Sequence, residues 1–225
     1  MCFSASASFG AGIVLSVIGI ATLRSVKQPA QIPFASLPLL FAVQQIAEGF
    51  LWLSFTNTSF EFLRTPSTYT FLFFAQVAWP AIVPTSILIL KKPADRKLIP
   101  KLLAVIGGAI AVFLAYCLFT YDIEANAGGH HIAYKQDYPV SLKRFGAVLY
   151  ISATILPPFF FKQKSMLILG VTILISYAIT AIFYQGYILS VWCFFSAIMS
   201  CIIYFIINEI NKQQKHRLAA RKFIR

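Results

Sequence analysis

Residues 37–52 read Leu-Pro-Leu-Leu-Phe-Ala-Val-Gln-Gln-Ile-Ala-Glu-Gly-Phe-Leu-Trp. With its flanks this stretch forms an apolar run over 33–54, and a helix needs about 20 such residues to cross a bilayer. One acid, Glu48, interrupts it. Two glutamines, Gln44 and Gln45, lie one turn before that acid, and Trp52 lies one turn after it. Residues three and four apart share a helix face, so all four point roughly the same way.

Six further runs of similar length follow the same rule: about 3–23, 67–90, 98–119, 144–161, 166–184 and 188–207. The one long connection is about 120–143. The whole chain agrees with this reading. Of its 225 residues 59% are hydrophobic and 12% charged, where a soluble domain has about 45–50% and about 25%. The mean hydropathy is +0.76. This composition excludes a disordered chain, a disulfide-stapled secreted module and a nucleic-acid binder. Lipid offers no partner to unpaired backbone, so helices are expected. The alternating pattern of a membrane barrel is missing. The predicted fold is an all-α integral membrane bundle of seven transmembrane helices in one domain, 1–211, with a basic tail over 212–225.

Charge orients the bundle. Of the 19 Lys and Arg, all but Arg64, Lys135, Lys143 and Arg144 fall on one side of these spans. Basic residues mark cytoplasmic loops, so the C-terminus is expected in the cytoplasm and the N-terminus outside. Nothing basic precedes the first run, while Arg24 and Lys27 follow it. A cleavable signal peptide has the opposite order, and the first span is expected to be retained. The +12 net charge is mostly this topology signal. The tail also suits anionic lipid headgroups. It lacks aromatic interleaving beyond Phe223, so no nucleic-acid partner is expected.

Polar groups at membrane depth are expensive and need a reason. Glu48 has two readings. The plain one is a carboxyl hydrogen-bonded to Gln44 or Gln45 that joins helices. The functional one is a site carboxylate about two turns below the outer surface. Other reactive groups are expected at that level: Cys2 at the start of the first span, Cys117 at the end of the fourth, and Ser190, Trp192 and Cys193 near the outer end of the last. The outer loop adds Gly128-Gly129-His130-His131-Ile132-Ala133-Tyr134, where paired glycines permit a tight turn.

Thiol, imidazole and carboxylate are ligands for zinc or another divalent transition metal. The expected metal ligands are His130, His131 and Glu48. The expected reactive groups are Glu48 as general base and Cys2 or Cys193 as ligand or nucleophile. Gln44, Gln45, Trp52, Gln76, Tyr134 and Trp192 are expected to contact substrate. Against this stand the spacing of the histidines, since adjacent side chains point apart, and the absence of any H-E-x-x-H or C-x-x-C pattern. A solvated loop and cysteines serving as small packing residues are the plain alternatives. No phosphate loop, dinucleotide fingerprint or serine-hydrolase elbow occurs, so no nucleotide cofactor is expected.

Backbone-shaping residues have plain readings too. Ser4, Ser8, Gly12 and Ser16 recur every four residues, and such stripes let helices approach closely. Pro80, Pro84, Pro157 and Pro158 free carbonyls and kink helices, which is ordinary in membranes and also a feature of transporters.

The opening Met1-Cys2-Phe3-Ser4-Ala5, with Ser8-Phe9 and Gly12, resembles a family of uncharacterised bacterial multi-pass membrane proteins. Leu37-Pro38-Leu39-Leu40-Phe41, Gln44-Gln45, Glu48-Gly49 and Trp52 are similar to it as well. So are His131-Ile132-Ala133-Tyr134 and Ser190-Val191-Trp192-Cys193-Phe194-Phe195-Ser196-Ala197. The resemblance implies an integral membrane protein of unknown function and brings no activity or substrate; the expected location is the bacterial inner membrane. Two better-known seven-helix classes do not fit. A retinal protein needs a Schiff-base lysine in its last span, and 188–207 has none. Seven-helix zinc hydrolases carry histidines inside helices, whereas His130, His131 and His216 lie outside the runs.

Three functions follow. The first is an outward-facing metal or thiol site, in its enzymatic form a membrane-embedded metal-dependent hydrolase. The second is a small-solute or ion transporter or channel using Glu48 with Gln44 and Gln45. The third is a sensing or structural membrane protein. Substrate, oligomeric state and any disulfide among Cys2, Cys117 and Cys193 stay open at this level.

Overall fold

The computed structural model describes residues 4–91, 97–129, 131–183 and 195–223. Helix α1 spans Ala5–Arg24 and begins at Ser4, whose side chain accepts a hydrogen bond from the Ala7 N–H at 3.2 Å. Such a cap satisfies one of the donors a helix start leaves open. A 3-10 turn (Pro29–Gln31) and a one-turn helix (Ile32–Ala35) lead into α2, Leu37–Thr56.

The next element changes winding along its length. A 3-10 segment, Thr58–Leu63, enters α3 (Arg64–Leu72), which passes through a π-helical stretch, Phe73–Ala78, into α4 (Trp79–Leu90). Pro80 explains part of this. It has no N–H to give the Gln76 carbonyl in α-helical register, so the winding just before it is free to widen. Pro84 likewise offers no donor to the Pro80 carbonyl. That carbonyl faces Gly107 of α5 (Leu98–Thr120) so closely that a Cβ at 107 would collide with the Pro80 oxygen.

Strands β1 (Ile123–Gly128) and β2 (His131–Gln136) form an antiparallel hairpin, with Ile123 opposite Gln136 and Gly128 opposite His131. Gly129 holds the turn at φ 61°, a conformation that other side chains rarely adopt. Helices α6 (Val140–Ile155), α7 (Lys164–Phe183) and α8 (Ser196–Phe223) complete the bundle.

Five helical stretches among the described residues are long and apolar enough to cross a membrane: Ala5–Arg24, Pro29–Thr56, Thr58–Leu90, Leu98–Thr120 and Lys164–Phe183. The sequence predicts seven. The fifth run falls short because Pro157-Pro158 close it in a 3-10 turn, leaving Phe145–Ile155 as its apolar helix. The start of the seventh run lies outside the described residues, and its later part continues without a break into the basic tail as α8. The all-helical expectation also misses the hairpin, which occupies the long connection.

Gly12 of the small-residue stripe, with Gly19 farther along α1, serves internal packing. Gly12 faces Ile46 and Gly19 faces Leu39, where an added Cβ would come within 2.8 and 2.6 Å of side-chain carbons, and the Phe9 ring lies on Gly49. Helices α1 and α2 therefore pack closely and run in opposite directions. Many large apolar side chains face outward, including Ile13, Val17, Val112, Phe119, Phe183 and Phe205.

Two ends can be distinguished. At the tail end Gln31 Nε2 donates to Asn211 Oδ1 at 2.8 Å, Asn211 Nδ2 to the Ser25 carbonyl at 2.7 Å, and Ser165 Oγ to Glu209 Oε2 at 2.6 Å. These bonds tie α8 to the end of α1 and the start of α7. The largest apolar cluster joins Phe34, Leu37, Ile87, Met166, Ile203 and Ile206. Two smaller clusters, Leu51–Trp52–Ile132 and Phe71–Leu72–Leu118, form the hairpin end.

Candidate functional site

The middle of α2 is both polar and buried. Gln44, Gln45 and Glu48 are all essentially without solvent exposure. Gln45 Nε2 donates to Glu48 Oε2 at 3.5 Å, and the Trp79 indole N–H donates to Gln44 Oε1 at 2.8 Å. Trp79 is itself stacked on Phe41, with ring centroids 4.0 Å apart. The polar group therefore bridges α2 and α4 and rests on an aromatic pair toward the tail end. Glu48 lies nine residues before Asn57, which caps the end of α2, a depth of roughly 13 Å at 1.5 Å per residue. A carboxyl at that depth is costly without partners, and the neighbouring amides supply part of what it needs.

The hairpin closes the same end. Ile132 is fully buried with Leu51 and Trp52, and Tyr134 stacks on Phe71 with centroids 4.9 Å apart and planes 7° apart. Gln76 and Gln136 exchange two amide hydrogen bonds, at 2.9 and 3.1 Å, which join the π-helical stretch to the end of β2. The Tyr150 hydroxyl donates to the Ala75 carbonyl at 2.6 Å in that stretch.

Of the residues singled out in the sequence, Gln44, Gln45 and Glu48 stand together, and Trp52 is buried one turn on toward the hairpin. Gln76 and Tyr134 are both engaged with hairpin docking. His131 begins β2. Cys2, His130, Trp192 and Cys193 lie outside the described residues. Among the described residues no three His, Cys, Asp or Glu side chains gather as a metal-holding group. Cys117 is a buried free thiol and Cys201 an exposed one. The sequence reading missed Trp79 and Gln136 as partners. An indole that needs a hydrogen bond when buried was the available signal for Trp79. Nothing local pointed to Gln136.

A polar cluster in the second of several apolar helices, under a docked hairpin, now stands beside the sequence itself. The chain belongs to a family of unknown function, DUF6629, matched over residues 1–219. No curated protein and no solved structure matches it. In this DUF6629 member the match takes in every element from α1 through most of α8. Membership therefore covers the Glu48 cluster and the hairpin together.

Proposed function

We propose that this chain is a multi-pass membrane protein, N-terminus outside and C-terminus cytoplasmic, that takes a small polar or cationic solute into the Glu48 cluster from the hairpin side. One observation carries the reading: a fully buried carboxyl with two fully buried amides within one turn, in a span whose other residues from Leu37 to Leu53 are apolar. Glu48 would meet a cation or hydrogen-bond donor, and Gln44 and Gln45 would orient it. The basic tail would rest on anionic headgroups of the cytoplasmic leaflet. A ligand that binds only the folded state raises the unfolding temperature. Purified protein is therefore screened by thermal unfolding against monovalent and divalent cations, amines and small amides, and then by flux in proteoliposomes. A stabilising solute whose effect and flux disappear in Glu48→Gln supports the reading. An unchanged response in Glu48→Gln removes it.

A second reading, a metal-dependent site, is favoured by the docking of β2. Ile132 joins the buried cluster of Leu51 and Trp52, one turn beyond Glu48, and the strand begins at His131. His130 or His131 with Glu48 would hold zinc or a similar ion, which supplies an activated water when bound. Cys2 or Cys193 would serve as a further ligand or as nucleophile. Metal analysis of purified protein tests this. Metal present in the wild type and lost in His131→Ala supports it, and metal-free wild-type protein ends it.

A further inference from the structure

Among the buried polar atoms near the hairpin end without a hydrogen-bond partner among the described residues are Ser8 Oγ on α1 and Trp52 Nε1 on α2. Both side chains are well buried, Ser8 at 0% and Trp52 at 5% exposure. They belong to one seam. Ala5 packs against the Leu51–Trp52–Ile132 cluster, the Phe9 ring lies on Gly49, and Ser8 lies between Ala5 and Phe9 on the same helix face. Trp52 is one turn from Glu48 on the same face. Ser4, one turn before Ser8, caps α1 at the hairpin end and is only partly buried.

Buried polar groups in folded proteins nearly always find a partner, either protein or ordered water. An indole N–H can only donate, while a hydroxyl both donates and accepts. A partner for these two atoms presents an oxygen acceptor to Trp52 and is small enough for a helix seam. Water meets both conditions. Toward the tail end the surroundings differ: Trp79 already gives its N–H to Gln44, its ring is stacked on Phe41, and the large apolar cluster follows.

We infer that the Ser8–Trp52 step is a hydrated subsite that connects Glu48 to the hairpin end of the bundle and not to the tail end. This rests on the proposed role of Glu48 and specifies the side from which its ligand arrives. Polar groups at Ser4, Trp52 and Ser8 then mark successive levels of a one-sided path from the hairpin end toward Glu48.

Hydroxyl-radical footprinting of the wild-type chain in nanodiscs tests it with water as the probe. Trp52 and Trp79 make a matched pair, with exposures of 5% and 6%. Trp52 is expected to oxidise at least about fivefold faster than Trp79, and Met166, at 0% exposure, is expected to stay unmodified. Equal protection of the two tryptophans overturns the inference. A second arm places Ser8→Cys in a chain with its four native cysteines replaced, and treats sealed vesicles with a membrane-impermeant thiol reagent. Labelling only from the hairpin side supports the path. Labelling from the tail side, or from neither, overturns it. Neither readout depends on Glu48. A null result in Glu48→Gln transport alongside a wet Trp52 would therefore sink the functional reading and leave the hydrated step standing.

Discussion

The Trp79 indole N–H reaches the Gln44 carbonyl oxygen at 2.8 Å, so the second and third apolar segments are joined by a hydrogen bond between buried side chains. Between apolar helices, packing of apolar surface discriminates poorly between neighbours, and a buried polar pair fixes which faces meet. Gln44→Ala leaves the indole donor without its acceptor and is expected to destabilise the bundle by about 1–3 kcal/mol. Trp79→Phe in the same background should cost much less than it does alone. A double-mutant cycle followed by thermal unfolding in detergent measures the coupling. Strict additivity would mean that the pair contributes nothing.

Gly107 and Gly108 should behave as opposites. A methyl at 107 meets the Pro80 carbonyl, whereas one at 108 meets nothing within 4 Å. Gly107→Ala forces α4 and α5 apart and is expected to cost at least about 3 kcal/mol, at the upper end for overpacking. Gly108→Ala replaces a poor helix former by the best one and should be neutral or stabilising by up to about 1 kcal/mol. Comparing the melting temperatures of the two variants checks both statements at once.

The Gln76–Gln136 amide pair holds the end of the hairpin to the π-helical stretch. Gln136→Ala would orphan its partner at a cost of about 1 kcal/mol. That corresponds to roughly fivefold faster amide exchange, and it should be confined to β1 and β2. Deuterium exchange read by mass spectrometry gives the answer. Equal acceleration in α1 and α2 would show that the pair supports the whole bundle and not the hairpin alone.

Tyr138 follows β2 outside the apolar segments. Burial pushes its phenol above the ordinary range, and the nearby Cys117 thiol adds to the effect in its ionised form. A raised pKa means the fold favours the neutral phenol. The associated stability is fully present below about pH 10, the unfolded value, and is lost as pH rises through the folded value. Tyrosinate absorbance near 295 nm should show a late component that Tyr138→Phe removes. Cys117→Ser should shift that component slightly down. A wild-type titration identical to that of Tyr138→Phe contradicts this.

Much of the architecture is legible from hydropathy, because a 20-residue apolar run has few alternatives in lipid. The limits are equally physical. Pro157 and Pro158 sit inside an acceptable run, yet each lacks the donor a helix needs, and the segment ends there. The hairpin hides in a stretch whose alternation is weak, with Glu124 and Asn126 between Ile123, Ala125 and Ala127. Only its Gly-Gly turn was visible. Glu48 announces itself by being acidic among apolar neighbours. Gln44–Trp79 and Gln76–Gln136 join residues 35 and 60 positions apart, and no local pattern encodes such meetings. Ser8 reads as a packing residue in sequence, and only its burial without a partner suggests more.

The widened winding over Phe73–Ala78 holds one residue more than ordinary α-helical pitch needs. Residue i+5 in such a turn lies about where i+4 lies in an α-helix. Excising one amino acid there would therefore let the backbone relax with Phe71 still facing Tyr134 and Trp79 still facing Gln44. The same excision within α3 or α4 would turn the residues before it by about 100° against those after it. An indel scan along this segment would thus find its tolerant point here, with sequence composition almost unchanged.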